Sequence, residues 1–370
     1  MKRILSVIFL TLLVLFPVFG ESSITAKMEL YDTAIRLGAD SWAGVGLGNL
    51  SVSFNQTNNR NVKSRLVLNA ATNLDTAAGS GSFPDDYSFY VSRAYVKFRF
   101  PHLRSVIGKA PFSWGEGLIF NAGDLLFRSS PISVNLMQSE FTDSPVWMSS
   151  LNFPLGPFSF IEGLYLPPDL LTEGLDSAKE GGRIVTKLAG TKLEAGYLYN
   201  GSETLHKAYA ALQGNLLLDW HLSAAAAFRN GYSFENNWKS SLVITGGVYS
   251  LRSIGYDGTL NYRLEAMVKP YELWEESPAG SQNGNYGIYL YPEVSYSFNS
   301  TMVLLLRSMI SPVDMSAVII PGFTWNVFQG FTIITMGSIG AGENNDTFAW
   351  RPVSPQKSGL SIMAGVSAVY

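Results

Sequence analysis

The chain alternates between apolar and polar residues over most of its length. In residues 218–229 every even position is apolar, whereas Asp219 and His221 are among the polar residues at odd positions. The same period of two recurs in residues 260–269 and 288–298. A period of two is typical of β-strands with one apolar face. Because such segments of roughly 9 to 14 residues recur along the whole chain without a helical domain between them, the pattern predicts an all-β fold.

Composition distinguishes between a soluble sandwich and a membrane barrel, both of which alternate. Hydrophobic residues make up 46% of the chain and charged residues only 15%, well below the ~25% charged residues of globular proteins. After the N-terminal segment, no apolar run approaches the ~18 residues that a spanning helix needs. Aromatic residues, at 13%, suit the interfacial girdles of a barrel. We therefore predict a transmembrane antiparallel up-and-down β-barrel.

The lengths of the connections support this prediction. Outer-membrane barrels have short periplasmic turns, longer external loops and an even number of strands. The short connections are 101–102, 154–157, 189–190, 214–215, 299–300 and 329–330. The long polar connections are 73–86, 111–140, 167–182, 270–284 and 342–357. This order predicts about 18 strands, with 16 as the alternative, in one domain over residues 21–370. A barrel of that size leaves an aqueous lumen.

The N-terminus has the features of an export signal. Lys2 and Arg3 precede a mostly apolar stretch, and the small residue Gly20 stands before Glu21. This arrangement predicts a cleaved signal peptide over residues 1–20. The chain has no cysteine, so disulfides, thiolate metal sites and a lipid-modified signal peptide are excluded. A net charge of −3 argues against nucleic acid as a partner.

The last residues of the chain form one more amphipathic strand. Ile362, Ala364, Val366, Ala368 and Tyr370 fall on one side of it. A strand that ends the chain on an aromatic residue resembles the C-terminal recognition signal of bacterial outer-membrane barrels. The resemblance implies the outer membrane of a diderm bacterium as the location and Tyr370 as the assembly signal. It also implies the barrel-assembly machinery and periplasmic chaperones as partners.

A more specific resemblance rests on four short motifs. They are Arg-Ala-Tyr-Val-Lys-Phe at 93–98, Ile-Gly-Lys at 107–109, Trp-Gly at 114–115, and Asn121 with Asp124. The set resembles a loosely characterised group of porin-like outer-membrane proteins. This chain departs from the group at Ala122 and Gly123, where a proline is common. The resemblance covers residues 87–168 and implies a passive pore without a defined substrate.

The alternation also assigns charged side chains to the lumen. In the strand 87–100 most even positions are compatible with lipid, which places Arg93, Lys97 and Arg99 on the inner face. The full set of predicted pore-lining residues is Arg93, Lys97, Arg99, Lys109, Arg229, Arg263, Glu265, Glu293 and Arg307. Cations outnumber acids in it, and a positive wall favours anions.

The long connection 111–140 is the predicted constriction loop. Its residues 113–130 are rich in glycine and partly apolar, so we expect them to fold into the barrel instead of standing in solvent. The loop residues of interest are Trp114, Glu116, Asn121 and Asp124. The alternative is another strand, or an external helix packed on the rim.

No constellation for catalysis stands out. The three histidines have no metal-ligand spacing, and no serine can be assigned as a partner of His221. We therefore predict no enzyme, metal or cofactor. The predicted function is a porin-like channel in outer-membrane lipid for passive diffusion of small hydrophilic solutes, with a preference for anions. The alternative is a surface-exposed adhesin or structural barrel, since the loop 271–276 is aromatic and acidic. Porins commonly form trimers, but the sequence identifies no subunit face.

Overall fold

The structure is a computed structural model of the chain. It describes residues 22–36, 42–57, 59–75, 87–126, 145–168, 174–229, 238–276, 286–343, 346–348 and 360–370. The predicted signal peptide lies outside the described residues, and its cleavage stays a prediction.

The described residues form 18 strands. They are β1 Ser22–Arg36, β2 Trp42–Gln56, β3 Val62–Asp75, β4 Tyr87–Arg99, β5 Arg104–Pro111, β6 Pro145–Gly156, β7 Ser159–Leu166, β8 Lys179–Leu188, β9 Thr191–Asn200, β10 Leu205–Asn215, β11 Asp219–Arg229, β12 Val243–Ile254, β13 Gly258–Val268, β14 Ile288–Ser297, β15 Met302–Ser311, β16 Ser316–Phe328, β17 Phe331–Ala341 and β18 Leu360–Val369. A 3-10 turn, Leu175–Ser177, precedes β8. Within the described ranges, no helix is long and apolar enough to cross a membrane.

Every strand pairs antiparallel with its neighbours in sequence, and β1 pairs with both β2 and β18. The sheet therefore closes on itself, which leaves no open edge at the junction of first and last strands. The final pair joins Ala26 to Tyr370 through two backbone hydrogen bonds of 2.8 Å. The prediction of an 18-stranded antiparallel barrel is confirmed.

The two rims of the barrel differ. Ser22 and Tyr370 lie at one end, which we call the terminal rim, together with the short turns such as Ala189–Gly190 between β8 and β9. The long connections, such as residues 112–144 between β5 and β6, leave from the other end, which we call the long-loop rim. This alternation of turn and loop is the one that the sequence predicts.

Side chains alternate between an outer and an inner face of the wall. In β18, Ile362 is half exposed, whereas its neighbour Met363 is buried against Ile334 and Met336 of β17. The even positions of β18 thus face outward, as predicted. The inner and outer faces of the other strands follow from the register of the ladders, because residues directly opposite each other in an antiparallel ladder point to the same side.

A β-bulge divides β4 into two parts. Arg93 pairs with Val67, but the next pair of the ladder joins Val91 to Leu68, so Ser92 is an extra residue. An extra residue inverts the alternation. In the C-terminal part of β4 the odd positions face inward as predicted, whereas in the N-terminal part they face outward. The predicted faces are therefore wrong for the N-terminal part, since a bulge has no signature in a period of two.

Candidate functional site

After β5 the chain leaves the barrel wall and turns into the lumen. Pro111 pairs with Pro145 at the end of the β5–β6 ladder, and proline lacks the N–H that would extend the ladder. The chain then enters the barrel over residues 112–126, which we call the inner segment. The rest of the predicted loop, residues 127–140, lies outside the described residues.

Trp114 attaches the start of the inner segment to the wall. Its indole is buried and stacks on Tyr209 of β10 with ring centroids 6.1 Å apart. Its Nε1 donates a hydrogen bond to the Glu162 carboxylate of β7 over 3.3 Å. Leu164 and Leu198 belong to the same buried cluster. Trp114, a predicted constriction residue, is thus packed against the wall.

Two glycines and an asparagine shape the next turn. Gly115 and Gly117 have φ angles of +76° and +121°, a region that side chains disfavour. A Cβ on Gly117 would lie 2.3 Å from the carbonyl oxygen of Phe120. The Asn121 side chain donates to the carbonyl oxygen of Trp114 over 2.9 Å and accepts from the Gly123 N–H over 3.0 Å. Asn121, a second predicted constriction residue, therefore holds the turn closed.

Glu265 of β13 holds the middle of the inner segment. Its carboxylate accepts hydrogen bonds from the backbone N–H groups of Leu118, Ile119 and Phe120 over 2.8, 2.9 and 2.9 Å. Arg263 lies on the same strand and face and pairs with this carboxylate over 3.1 Å. Hydrogen bonds to an ionised acceptor are about twice as strong as neutral ones. Glu265 was predicted to line the pore, but here it anchors the segment and is itself buried.

A second carboxylate, Glu194 of β9, binds a cluster of donors. It accepts from the Gly115 N–H over 3.1 Å and from the Tyr209 hydroxyl. Arg183 and Lys192 pair with it over 2.9 and 3.0 Å. Lys192 also pairs with Glu116 of the inner segment, the third predicted constriction residue.

The end of the segment is attached by β10 and β12. Lys207 donates to the carbonyl oxygen of Leu125 over 2.6 Å. The hydroxyl of Thr245 accepts from the Ala122 N–H over 3.2 Å. Asp124, the fourth predicted constriction residue, lies between these attachments and is half-buried. The roles of Glu162 and Thr245 could not be predicted from the sequence, although both residues occupy the polar positions of alternating strands.

The inner segment, held by these attachments, fills one side of the lumen. Phe120 is buried in a cluster with Met267, Tyr289, Tyr291 and Met309, all of which are inner-face residues with 0% exposure. Connections at the long-loop rim extend the cluster: the ring of Phe348 stands edge-on to Tyr289, with centroids 6.3 Å apart. The long-loop halves of the inner faces of β13 to β15 therefore form a packed core instead of a water-facing wall.

Two of those connections are tied together at the rim. Asp314, between β15 and β16, accepts hydrogen bonds from the Ser316 hydroxyl over 2.8 Å and from the Thr347 N–H over 2.7 Å. Burial alone would raise the pKa of Asp314, but the hydrogen bonds outweigh burial and hold its pKa below the usual range. The carboxylate is thus ionised at neutral pH and fixes the loop over the packed side.

The other side of the lumen is open to solvent. Leu47 of β2 and Tyr90 of β4 lie on the inner face by register, yet they are 41% and 49% exposed. The contrast with the fully buried inner residues of β13 to β15 places the solvent-accessible part of the lumen beside β2 and β4.

Cations line this open side. They are Lys63 and Arg65 of β3, Arg93, Lys97 and Arg99 of β4, and Arg104 of β5, which we call the cation row. Lys63 stands opposite Lys97 in the ladder, and Arg99 opposite Arg104. Among the inner-face side chains of residues 62–72, 88–99 and 104–111 there is no acid. Four inner acids of other strands form ion pairs, for example Glu29 with Lys27 over 2.8 Å; the others are Glu162, Glu194 and Glu265.

Most predicted pore-lining residues lie on the inner face, but not all line the open side. Arg229 is on the inner face of β11. Glu293 and Arg307 stand opposite each other in the ladder and are buried in the packed side, as is Glu265. Within the described ranges, no group of three or more acidic residues and histidines is arranged to hold a metal ion.

Lys109 is a correction to the predicted pore lining. It stands opposite Trp147 in the β5–β6 ladder, and Trp147 and Ile107 are both about half exposed on the outer face. The inner positions of β5 begin with Arg104 and include Val106 and Ala110, which pack on the cluster around Trp114. Because this short strand has apolar residues on both faces, its sequence does not show which of its residues face the lumen.

Comparison with known proteins gives a likeness of fold. No family model matches the chain, and no curated protein matches it. OccAB3 of Acinetobacter baumannii has a TM-score of 0.58 at 12% identity, over 95% of this chain and 99% of that chain. The outer membrane protein OpdK of Pseudomonas aeruginosa has a TM-score of 0.57 at 10% identity, over 94% and 98%. A BenF-like porin of Pseudomonas fluorescens Pf-5 has 0.58 at 10%, over 95% and 98%. At these identities the likeness establishes the barrel fold.

Proposed function

We propose that the protein is a porin-like channel of the outer membrane of a diderm bacterium, through which small hydrophilic solutes diffuse passively. The observation that carries this proposal is the unequal lumen. One side is packed to complete burial, whereas solvent reaches the inner faces of β2 and β4. A closed barrel of this strand number encloses a lumen wide enough for a channel.

Outer-face aromatic residues support insertion into a membrane. At the long-loop rim they are Trp42, Phe89, Trp147, Tyr165 and Tyr197, and at the terminal rim Phe100, Phe298, Trp325, Phe328 and Tyr370. Two aromatic girdles at the ends of an apolar wall are typical of outer-membrane barrels. The terminal rim, with its short turns, then faces the periplasm.

The structural relatives agree with this function. One of them is a porin and another an outer membrane protein, and OpdK was also solved with vanillate. By analogy we propose small solutes as the cargo of this lumen, together with outer-membrane lipid as its surroundings.

The cation row gives the proposed selectivity. Unpaired positive charges along one wall attract anions and repel cations. We propose that anions cross more readily than cations. Because the row begins at the terminal rim with Arg104 and Arg99, it would act on solutes at the periplasmic exit.

Conductance of the refolded protein in planar bilayers tests the proposal. We expect discrete single-channel steps and, under a potassium chloride gradient, a reversal potential of the sign given by chloride permeation. A cation-selective reversal potential would contradict the anion preference alone. Correctly folded barrels without channel activity would contradict the channel and favour the adhesin or structural alternative.

Tyr370 provides a separate prediction about assembly. Its side chain is fully exposed at the terminal rim, while its backbone pairs with Ala26 and closes the barrel. We propose that it is read by the barrel-assembly machinery after delivery by periplasmic chaperones. Tyr370→Asp should abolish assembly into the outer membrane and leave export intact, as measured by heat-modifiable mobility of membrane fractions. Tyr370→Phe is the matched control, and full assembly of the aspartate variant would refute the assignment.

A further inference from the structure

Positive charge is concentrated in one sector of the terminal rim. We compare the turns at this rim, together with the three strand residues on either side of each turn. Among the described residues in these positions, the sector of β2 to β5 contains cations and no acid. The cations are Arg60, Lys63, Lys97, Arg99 and Arg104, all of them exposed, and we call them the basic rim cluster. Arg60 lies in the β2–β3 turn, outside the strands, so lining of the lumen does not account for its presence.

The acids of the terminal rim lie on the opposite side of the barrel. Among the described residues in the same positions, they are Asp219, the first residue of β11, and Asp257 in the β12–β13 turn. Both are exposed. In the closed ring of 18 strands, β13 lies nine strands from β4 in either direction. The terminal rim is therefore polarised, with a basic sector and an acidic sector nearly opposite each other.

The remaining cations near this rim differ from the basic rim cluster. The Lys187 ammonium lies over the ring of Phe158, 5.3 Å from its centroid. Lys192 pairs with carboxylates on both sides, as described above. Arg252 is on the outer face of β12. In the part of the chain that the structure describes, no member of the basic rim cluster forms an ion pair.

Hydrogen bonds hold the two turns of the basic sector in fixed positions. The side-chain oxygen of Asn59 accepts from the Asn61 N–H over 2.8 Å. The carbonyl oxygen of Asn61 accepts from the Arg99 N–H over 2.7 Å, which joins the β2–β3 turn to the end of β4. Across the β4–β5 turn, the Phe100 N–H donates to the carbonyl oxygen of Leu103 over 2.8 Å. A surface that is already ordered loses little conformational entropy when a partner binds it.

Two pairs of like charges stand directly opposite each other within the cluster. Lys63 faces Lys97 in the β3–β4 ladder, and Arg99 faces Arg104 in the β4–β5 ladder. Like charges at directly opposite positions destabilise a sheet, and no described acid of this sector of the rim offsets them. A negatively charged partner would relieve the repulsion. The basic rim cluster therefore fits an anionic surface.

The arrangement of charges distinguishes among anionic partners. Lipid headgroups lie outside the wall, whereas every member of the cluster except Arg60 is on the inner face by register. A uniformly anionic polymer such as peptidoglycan would be attracted to the basic sector but repelled by Asp219 and Asp257 where it crosses the mouth of the barrel. A folded protein can carry an acidic patch for one sector without placing negative charge on the other.

We propose that the terminal rim is a docking surface for a periplasmic protein with an acidic patch, and that this patch binds the basic rim cluster. The cluster shares Lys63, Lys97, Arg99 and Arg104 with the cation row, so the docked protein would stand where solutes leave the lumen. The inference rests on the proposed function, which places the terminal rim in the periplasm. It does not depend on which ions the channel prefers.

Binding of poly-L-glutamate, a model acidic polypeptide, tests the surface itself. The full chain in lipid nanodiscs should bind it, and the double variant Arg60→Glu and His102→Glu should weaken the affinity about tenfold, because it reverses the charge of the turns. Both residues lie outside the strands of the wall, so the conductance of the double variant should equal that of the wild type. Arg252→Glu is the matched control and should leave the affinity unchanged. Equal affinities of the wild type and the double variant would overturn the docking surface.

Photo-cross-linking in intact native cells tests the class of partner. With benzoylphenylalanine in place of His102, which is exposed in the β4–β5 turn, we expect one discrete adduct that a protease degrades. Arg60→Glu should abolish the adduct, whereas Arg252→Glu should retain it. An adduct that a muramidase degrades, or an adduct with lipid, would overturn the protein partner.

The same cells separate this inference from the proposed function. Barrels that insert and conduct but give no adduct would overturn the docking surface and leave the channel proposal intact. Barrels that insert without conducting, or that fail to insert, would instead contradict the proposed function.

Discussion

Glu265→Ala is expected to raise single-channel conductance about twofold, because it should release the inner segment, which packs against the wall on one side of the lumen. The substitution removes the acceptor of three backbone N–H groups and the partner of Arg263. Removing one member of a buried ion-paired network costs about 3–5 kcal/mol. Such a loss should release residues 118–120 from the wall. Planar-bilayer recordings would show larger and noisier open steps.

Two variants calibrate this result. Glu265→Gln keeps an acceptor of the same size and should give an intermediate conductance. Glu180→Ala removes a carboxylate on the outer face of β8, where it contacts neither the lumen nor the inner segment, so it should leave the conductance unchanged. Equal conductance in the wild type and in Glu265→Ala, with an unchanged pattern of limited proteolysis, would show that Glu265 does not hold the segment.

The second large effect is expected from the cation row. The triple variant Arg93→Glu, Lys97→Glu and Arg99→Glu replaces three positive charges on the open wall with negative ones. Its reversal potential in a potassium chloride gradient should move by tens of millivolts, on the order of the full range between anion and cation selectivity. The shift should diminish at ~1 M salt, where the Debye length falls to about 3 Å.

The matched controls separate charge from shape. The triple glutamine variant should have a reversal potential between those of the wild type and of the triple glutamate variant, since it removes charge without reversing it. Arg252→Glu changes an outer-face charge and should not move the reversal potential. If the triple glutamate variant keeps the wild-type reversal potential while remaining folded, the passage does not follow the cation row.

The barrel could be predicted from the sequence because its strands obey a local rule. A period of two and the alternation of short and long connections suffice to predict 18 strands and the faces of β18. The rule fails where an element departs from regular alternation. Ser92 is an extra residue in β4, and β5 has apolar side chains on both faces around Lys109.

The inner segment shows a different limit. Glycine content and apolar residues predict that residues 113–130 enter the barrel, and the structure describes that entry as far as residue 126. Its partners Glu162, Glu194 and Glu265 lie 48 to 147 residues away from the groups they bind. No local pattern links residues so far apart. The role of Glu265 as an anchor therefore emerges only from the closed barrel.

The same separation has a consequence for the order of folding. Contacts between residues far apart in sequence form slowly, because a long loop must close before they contribute. The inner segment belongs to the N-terminal half of the chain, yet its central anchor is on β13. It therefore cannot dock until most of the wall has assembled. We expect the Glu265 contacts to be among the last native interactions to form, after β13 has taken its place in the sheet.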